Sequence, residues 1–192
     1  MKGKFTLLLF SVTFLVFIYQ IKTGVLIGLN PSDLHYEDFI IYAFFHSSST
    51  HFAFNLAALL FLGYYLEEKI GTDKFIVLFF ITTIFAGIVY VLIYPSADRL
   101  CVGLSGFIFG IVGGNIVAYK EKYRNYFLLS ALFYISFTVF LIYFDIVGNI
   151  AHAAHLGGFL IGAVLEMCYE KRKEGYVLMF LTLISTIYLV IV

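Results

Sequence analysis

Charged residues are scarce in this chain: Asp, Glu, Lys and Arg make up 12% of its 192 positions, about half the share found in a soluble globular domain. With 62% hydrophobic residues and a mean hydropathy of +0.99, that scarcity excludes an ordinary soluble domain and reads as a polytopic all-α membrane protein. Lys plus Arg number 12 and Asp plus Glu 12, so no excess of positive charge points to a nucleic-acid partner. Polar linkers, internal repeats and low-complexity stretches are also missing, and residues 1–192 read as one domain. There are only two cysteines. Cys101 and Cys168 fall near opposite faces of the membrane in the topology derived below, much farther apart than the roughly 5.5 Å Cα separation of a disulfide.

Seven apolar runs read as spans of a hydrocarbon core about 30 Å thick, at approximately 5–21, 51–66, 75–94, 105–119, 126–144, 150–168 and 176–192. The first follows Lys2 and Lys4 but has no small-residue cleavage site before Lys22, so it reads as a retained helix rather than a secretory signal. A cytoplasmic N-terminus puts Lys2, Lys4, Lys69, Lys74, Lys120, Lys122, Arg124, Lys171, Arg172 and Lys173 inside and only Lys22 and Arg99 outside. This strong positive-inside bias fixes the orientation. An odd number of spans then puts the C-terminus outside.

Three polar residues begin apolar helices: His51 in "HFAFNLAALLFLGYYL", Ser105 in "SGFIFGIVGGNIVAY" and His155 in "AHAAHLGGFLIGAVL". Glu67 follows His51 by 16 residues, Lys120 follows Ser105 by 15, and Glu170 follows His155 by 15. At about 1.5 Å per residue, each lies roughly 23 Å from the inner boundary and several ångströms below the outer surface. Polar groups held at one depth in lipid call for a shared, water-filled cavity, here open to the outside. The serine's helix is too short to cross fully, so "PSADRLCVGL" before it has to dip into the protein. Ser105 then occupies a buried helix N-terminus, where unpaired N–H groups and the helix dipole favour negative charge.

The glycines fit the same picture. Gly103 and Gly106 permit a tight turn around the serine, while Gly106 and Gly110 form a GxxxG face whose complement is Gly158 and Gly162. Close packing there brings Ser105 to His155, and a hydroxyl beside an imidazole is the minimum arrangement for nucleophilic catalysis. His51 and Asn55, at i and i+4, share a helix face, and with the Ser105 backbone N–H they could form an oxyanion hole.

"HSSSTHFAFN", "YYLEEKIGT", "GLSGFIFG" and "AHAAHLGGFLIG", in this order, resemble the rhomboid family of intramembrane serine proteases. The resemblance implies a six-helix bundle over about residues 5–170, to which this chain adds a seventh helix at about 176–192 as a departure from the family's core. It implies Ser105 as nucleophile and His155 as base, without an acidic third member, and His51, Asn55 and the Ser105 amide as oxyanion donors. It further implies transmembrane protein substrates cut near their outer ends in the bilayer of the cell membrane, with no cofactor and no metal. The loop at 30–50 would lie partly in the membrane, and residues 126–149 would help admit substrate sideways. The chain departs from the family in having no Trp, and so no Trp-Arg pair in the first loop.

Several readings compete with these. A serine in a membrane helix is commonly bonded back to its own helix. His152 stands one turn before His155 and could face the same cavity in a supporting role. His35 and His46 precede the second span in a loop and read as exposed or interfacial, with a structural hydrogen bond as the alternative for His46. Glu67, Glu68 and Lys69 read as caps and anchors of an inner helix end, with Gly71 as its stop. Phe107 and Phe159 are candidates to line the cavity, and Asp145 is left out of the site. A histidine-ligated metal or haem protein is the rival class, but there is no H-E-x-x-H and the glycine-flanked serine would go unexplained. A rhomboid-like protein that binds membrane proteins without cleaving them is the other alternative.

Overall fold

The computed structural model describes residues 3–96, 99–119 and 152–191. They form α1 (Lys4–Thr23), α2 (Asp38–Ile41), a 3-10 turn (Tyr42–Phe44), α3 (Ser49–Ala58), a π-helical turn (Leu59–Gly63), α4 (Tyr64–Ile70), α5 (Thr72–Ile93), α6 (Ser105–Ala118), α7 (His152–Tyr169) and α8 (Lys173–Ile191). The only extended pairing among the described residues is an isolated antiparallel bridge between Leu29 and Cys101. Among the described residues, three helical stretches, Lys4–Thr23, Ser49–Ile70 and Thr72–Ile93, are long and apolar enough to cross a membrane. The chain is an integral membrane protein. The run at 126–144, the segment at 126–149 and Asp145 lie outside the described residues.

α3, the π turn and α4 together make the stretch Ser49–Ile70. Ser48 starts it, its Oγ accepting a hydrogen bond from the His51 backbone N–H at 3.1 Å. That side-chain acceptor satisfies one of the orphan donors of a new helix. The π turn widens the helix in its middle, where the Asn115 side-chain amide of α6 donates to the Leu62 carbonyl at 3.4 Å. Gly71, with φ 91° and ψ 151°, is the sole residue between α4 and α5. A side chain there would meet nothing within 4 Å, so the backbone conformation, not crowding, calls for glycine.

Glu67 does more than anchor an inner helix end, as the sequence suggests. It is 2% exposed and accepts hydrogen bonds from the Phe5 N–H (3.0 Å), the Thr6 N–H (2.8 Å), the Thr6 hydroxyl (2.7 Å) and the Thr72 hydroxyl (2.8 Å). Gly3 gives α1 no side-chain cap. The carboxylate therefore caps α1 across 61 positions of sequence and ties it to the start of α5. Above it, Phe107 packs edge-on to Phe75 (5.4 Å) and Phe79 (5.1 Å). At 1% exposure, Phe107 belongs to this core together with Leu59, Leu66, Leu78 and Ile111. That corrects its reading as a cavity-lining residue: it is on the face of α6 that packs toward α5.

The loop between α1 and α3 is held from three sides. Leu29 and Cys101 exchange both backbone hydrogen bonds (2.9 and 3.0 Å), the Gly103 N–H donates to the Tyr42 carbonyl at 2.9 Å, and the Tyr42 hydroxyl donates to the Thr83 carbonyl of α5 at 2.9 Å. Gln20 of α1 grips the backbone of His46 with both ends of its amide, donating to the carbonyl at 2.6 Å and accepting from the N–H at 3.1 Å. These bonds satisfy backbone groups of an irregular segment that helix and sheet ladders leave unpaired.

Candidate active site

Ser105 is the first residue of α6, which has no side-chain cap. Two positions earlier Gly103 turns the chain at φ +108°, and a Cβ built there would stand 2.6 Å from His51 Cε1 and 2.7 Å from Nε2. Only glycine takes this turn comfortably and lets an imidazole lie against the backbone. The His51 ring thus packs against the segment that leads into Ser105.

α6 and α7 meet backbone to backbone. A Cβ at Gly158 would overlap the Gly106 carbonyl, and one at Gly162 would overlap the Gly110 carbonyl. This approach, possible only for small residues, places Nε2 of His155 2.8 Å from Oγ of Ser105. The His155 ring is stacked on Phe109, with centroids 4.6 Å apart and planes inclined by 23°. The side chain is 7% exposed, so the imidazole is held by packing on its face and by the serine at its edge. Such an arrangement can pass a proton from hydroxyl to imidazole.

The other predicted residues stand in different surroundings. Asn55 is 5% exposed and donates through Nδ2 to the His51 carbonyl at 2.9 Å, one turn along α3. His51 Nδ1 lies 3.1 Å from the Ser47 hydroxyl. His152 presents its ring edge-on to His155 with centroids 6.0 Å apart, and its ring nitrogens have no hydrogen-bond partner among the described residues. It adjoins the base and makes no hydrogen bond to the serine. His35 is exposed, but His46 is not: it is fully buried, with Nδ1 3.2 Å from the Phe44 carbonyl. The expectation of an exposed or interfacial His46 fails because the grip of Gln20 turns this loop inward, between Phe17 and Phe52.

Some neighbours were missed by the sequence reasoning. Phe109 follows Ser105 by four positions and so shares its face, a signal that was available. Gly113 extends the small-residue seam, since a Cβ there would overlap the Phe159 carbonyl; its spacing from Gly106 and Gly110 gave the hint. Ser47 carried none, because it precedes its helix. Glu166, one turn before Glu170, is 4% exposed, so a carboxylate enters the protein nearer to His155 than the depth count from Glu170 allowed.

Residues 34–172 match the rhomboid domain family, and the chain belongs to the rhomboid family. It is 34% identical over 139 residues to "Rhomboid-like protease 3" of Toxoplasma gondii, covering 68% of this chain and 51% of that protein. It is 32% identical over 140 residues to "Rhomboid protease GlpG" of Yersinia pestis (strain Pestoides F), covering 71% and 49% respectively. The same name is carried by a Serratia proteamaculans (strain 568) protein, 30% identical over 140 residues. The chain spans about half the length of these relatives.

Proposed function

We propose that the protein is an intramembrane serine endopeptidase in which Ser105 and His155 form a catalytic dyad. The single observation that carries this reading is the 2.8 Å contact between Ser105 Oγ and His155 Nε2 at the start of a membrane helix. A hydroxyl is a weak nucleophile until a base takes its proton, and the face of this base is stacked on Phe109. Family membership, with relatives named as proteases, supports the same reading.

In this reading catalysis runs in the order usual for a serine nucleophile. His155 Nε2 removes the serine proton as Oγ attacks the scissile carbonyl. The oxyanion forms beside the α6 N-terminus, receiving hydrogen bonds from the Ser105 N–H, from His51 and from the second N–H of Asn55. His155 then protonates the leaving amine, and water hydrolyses the acyl-enzyme by the reverse sequence. The substrate is a single-span membrane protein, cut near the outer face by an enzyme in the cell membrane whose N-terminus is cytoplasmic. It enters sideways from lipid and unwinds locally, because helical hydrogen bonds shield its carbonyls.

The test is cleavage of a model single-span substrate in liposomes by the wild type, Ser105→Ala and His155→Ala, with and without chelator. Cleavage by the wild type alone, indifferent to chelator, is the expected result. Cleavage that survives Ser105→Ala overturns the mechanism. Binding of substrate without cleavage identifies a non-catalytic rhomboid-like binder instead.

A further inference from the structure

We infer that Ser47 is a positioning residue that sets the tautomer of His51. The inference rests on the reading of His51 as an oxyanion donor. A neutral imidazole has one N–H donor and one lone-pair acceptor, and the partner of one nitrogen decides what the other can do. In this site the two nitrogens of His51 face different surroundings. Nδ1 lies 3.1 Å from the Ser47 hydroxyl. The Nε2 end packs against Gly103, on the approach to the Ser105 amide, where the oxyanion would form.

Only the tautomer with hydrogen on Nε2 can donate to an oxyanion. Its Nδ1 then carries a lone pair, which needs a donor, and a serine hydroxyl can rotate to supply one. The opposite tautomer would aim a lone pair at the oxyanion and repel it. Among the described residues, Ser47 is the group recorded at Nδ1. The neighbouring His46 ring lies 5.1 Å away by centroid, inclined by 66°, and its own Nδ1 bonds the Phe44 carbonyl. The next serine, Ser48, is committed to the His51 backbone N–H as the cap of α3. The side chain and the backbone of one histidine are therefore held by two successive serines with separate tasks.

The Ser47–His51 bond is exposed, so water competes for it and the effect is moderate. One hydrogen bond of about 1 kcal/mol corresponds to roughly a fivefold change in rate. Ser47→Ala should lower kcat about fivefold with KM unchanged, and Ser47→Thr, which keeps the hydroxyl, should restore it. In a His51→Gln background, whose amide donates without a tautomer, Ser47→Ala should change nothing further. A wild-type kcat in Ser47→Ala, or the same loss in both backgrounds, overturns the inference.

A readout independent of cleavage separates this from the protease reading. The imidazole nitrogens of the full-length protein, labelled with 15N-histidine and held in detergent micelles, report protonation directly, and the His51 signals are those lost in His51→Gln. Hydrogen on Nε2 in the wild type, moving toward a mixture in Ser47→Ala, supports the role of Ser47 even if no substrate is cut. Hydrogen on Nδ1 in the wild type overturns it even if the enzyme is active.

Discussion

Nε2 of His155 and Oγ of Ser105 stand 2.8 Å apart although 50 positions separate the two residues in the chain. The contact depends on glycines that present no side chain where α6 and α7 cross. Chemistry and packing are coupled here: whatever separates the two helices also separates the proposed nucleophile from its base.

Removal of either member of the pair should abolish turnover. Ser105→Ala and His155→Ala are each expected to lower kcat at least 1,000-fold, on the order seen when members of such dyads and triads are removed. The double variant should be no worse than the single ones, because the two groups act as one unit. Initial cleavage rates in liposomes measure all three.

Crowding the seam should cost both stability and activity. Gly158→Ala pushes a methyl group into the Gly106 carbonyl, and Gly162→Ala does the same at Gly110. Overpacking of this kind costs roughly 1–3 kcal/mol, to be read as a fall in the midpoint of detergent-induced unfolding. Gly24→Ala is the control. Its φ of +72° carries strain but no neighbour lies within 4 Å, so a loss of about 1 kcal/mol with unchanged cleavage is expected.

Phe109 should affect rate more than fold. Phe109→Ala removes the ring stacked on His155, and an aromatic pair of this type is worth about 0.5–1.5 kcal/mol beyond its buried area. A kcat lowered about threefold to tenfold is expected, with Phe109→Tyr close to wild type. Equal kcat in Phe109→Ala would show that the stacking on Phe109 does not orient the imidazole.

Glu67 should matter for stability and not for the chemical step. Glu67→Gln keeps the shape but turns one acceptor oxygen into a donor facing the N–H and hydroxyl groups of Phe5, Thr6 and Thr72. Loss of a buried charged acceptor should cost about 1.5–3 kcal/mol. Cleavage measured well below the unfolding midpoint should stay near the wild-type rate.

The oxyanion residues should show graded losses. His51→Ala and Asn55→Ala are each expected to lower kcat on the order of 100-fold, with KM little changed, because the interaction develops only as the carbonyl becomes an oxyanion. A rise in KM at constant kcat would instead assign these side chains to substrate binding.

The sequence by itself determined the membrane class, the helical character and the candidate groups, because these follow from short-range properties. Hydropathy over about 20 residues marks a span, and i, i+4 spacing puts His51 with Asn55 and Gly158 with Gly162 on single faces. Only the tertiary structure decided how those faces are turned toward one another. His152 and His155 differ by about 300° around α7, so they stand within about 60° of each other and local periodicity cannot choose between them. The backbone contact of Gly158 with Gly106 sets the rotation of α7 and brings His155, not His152, to Ser105. The same holds for Glu67, whose donors in α1 lie 61 and 62 positions away, and for His46, buried by the reach of Gln20 across 26 positions. Partners so distant leave no local pattern, because what joins them is the packing of whole helices.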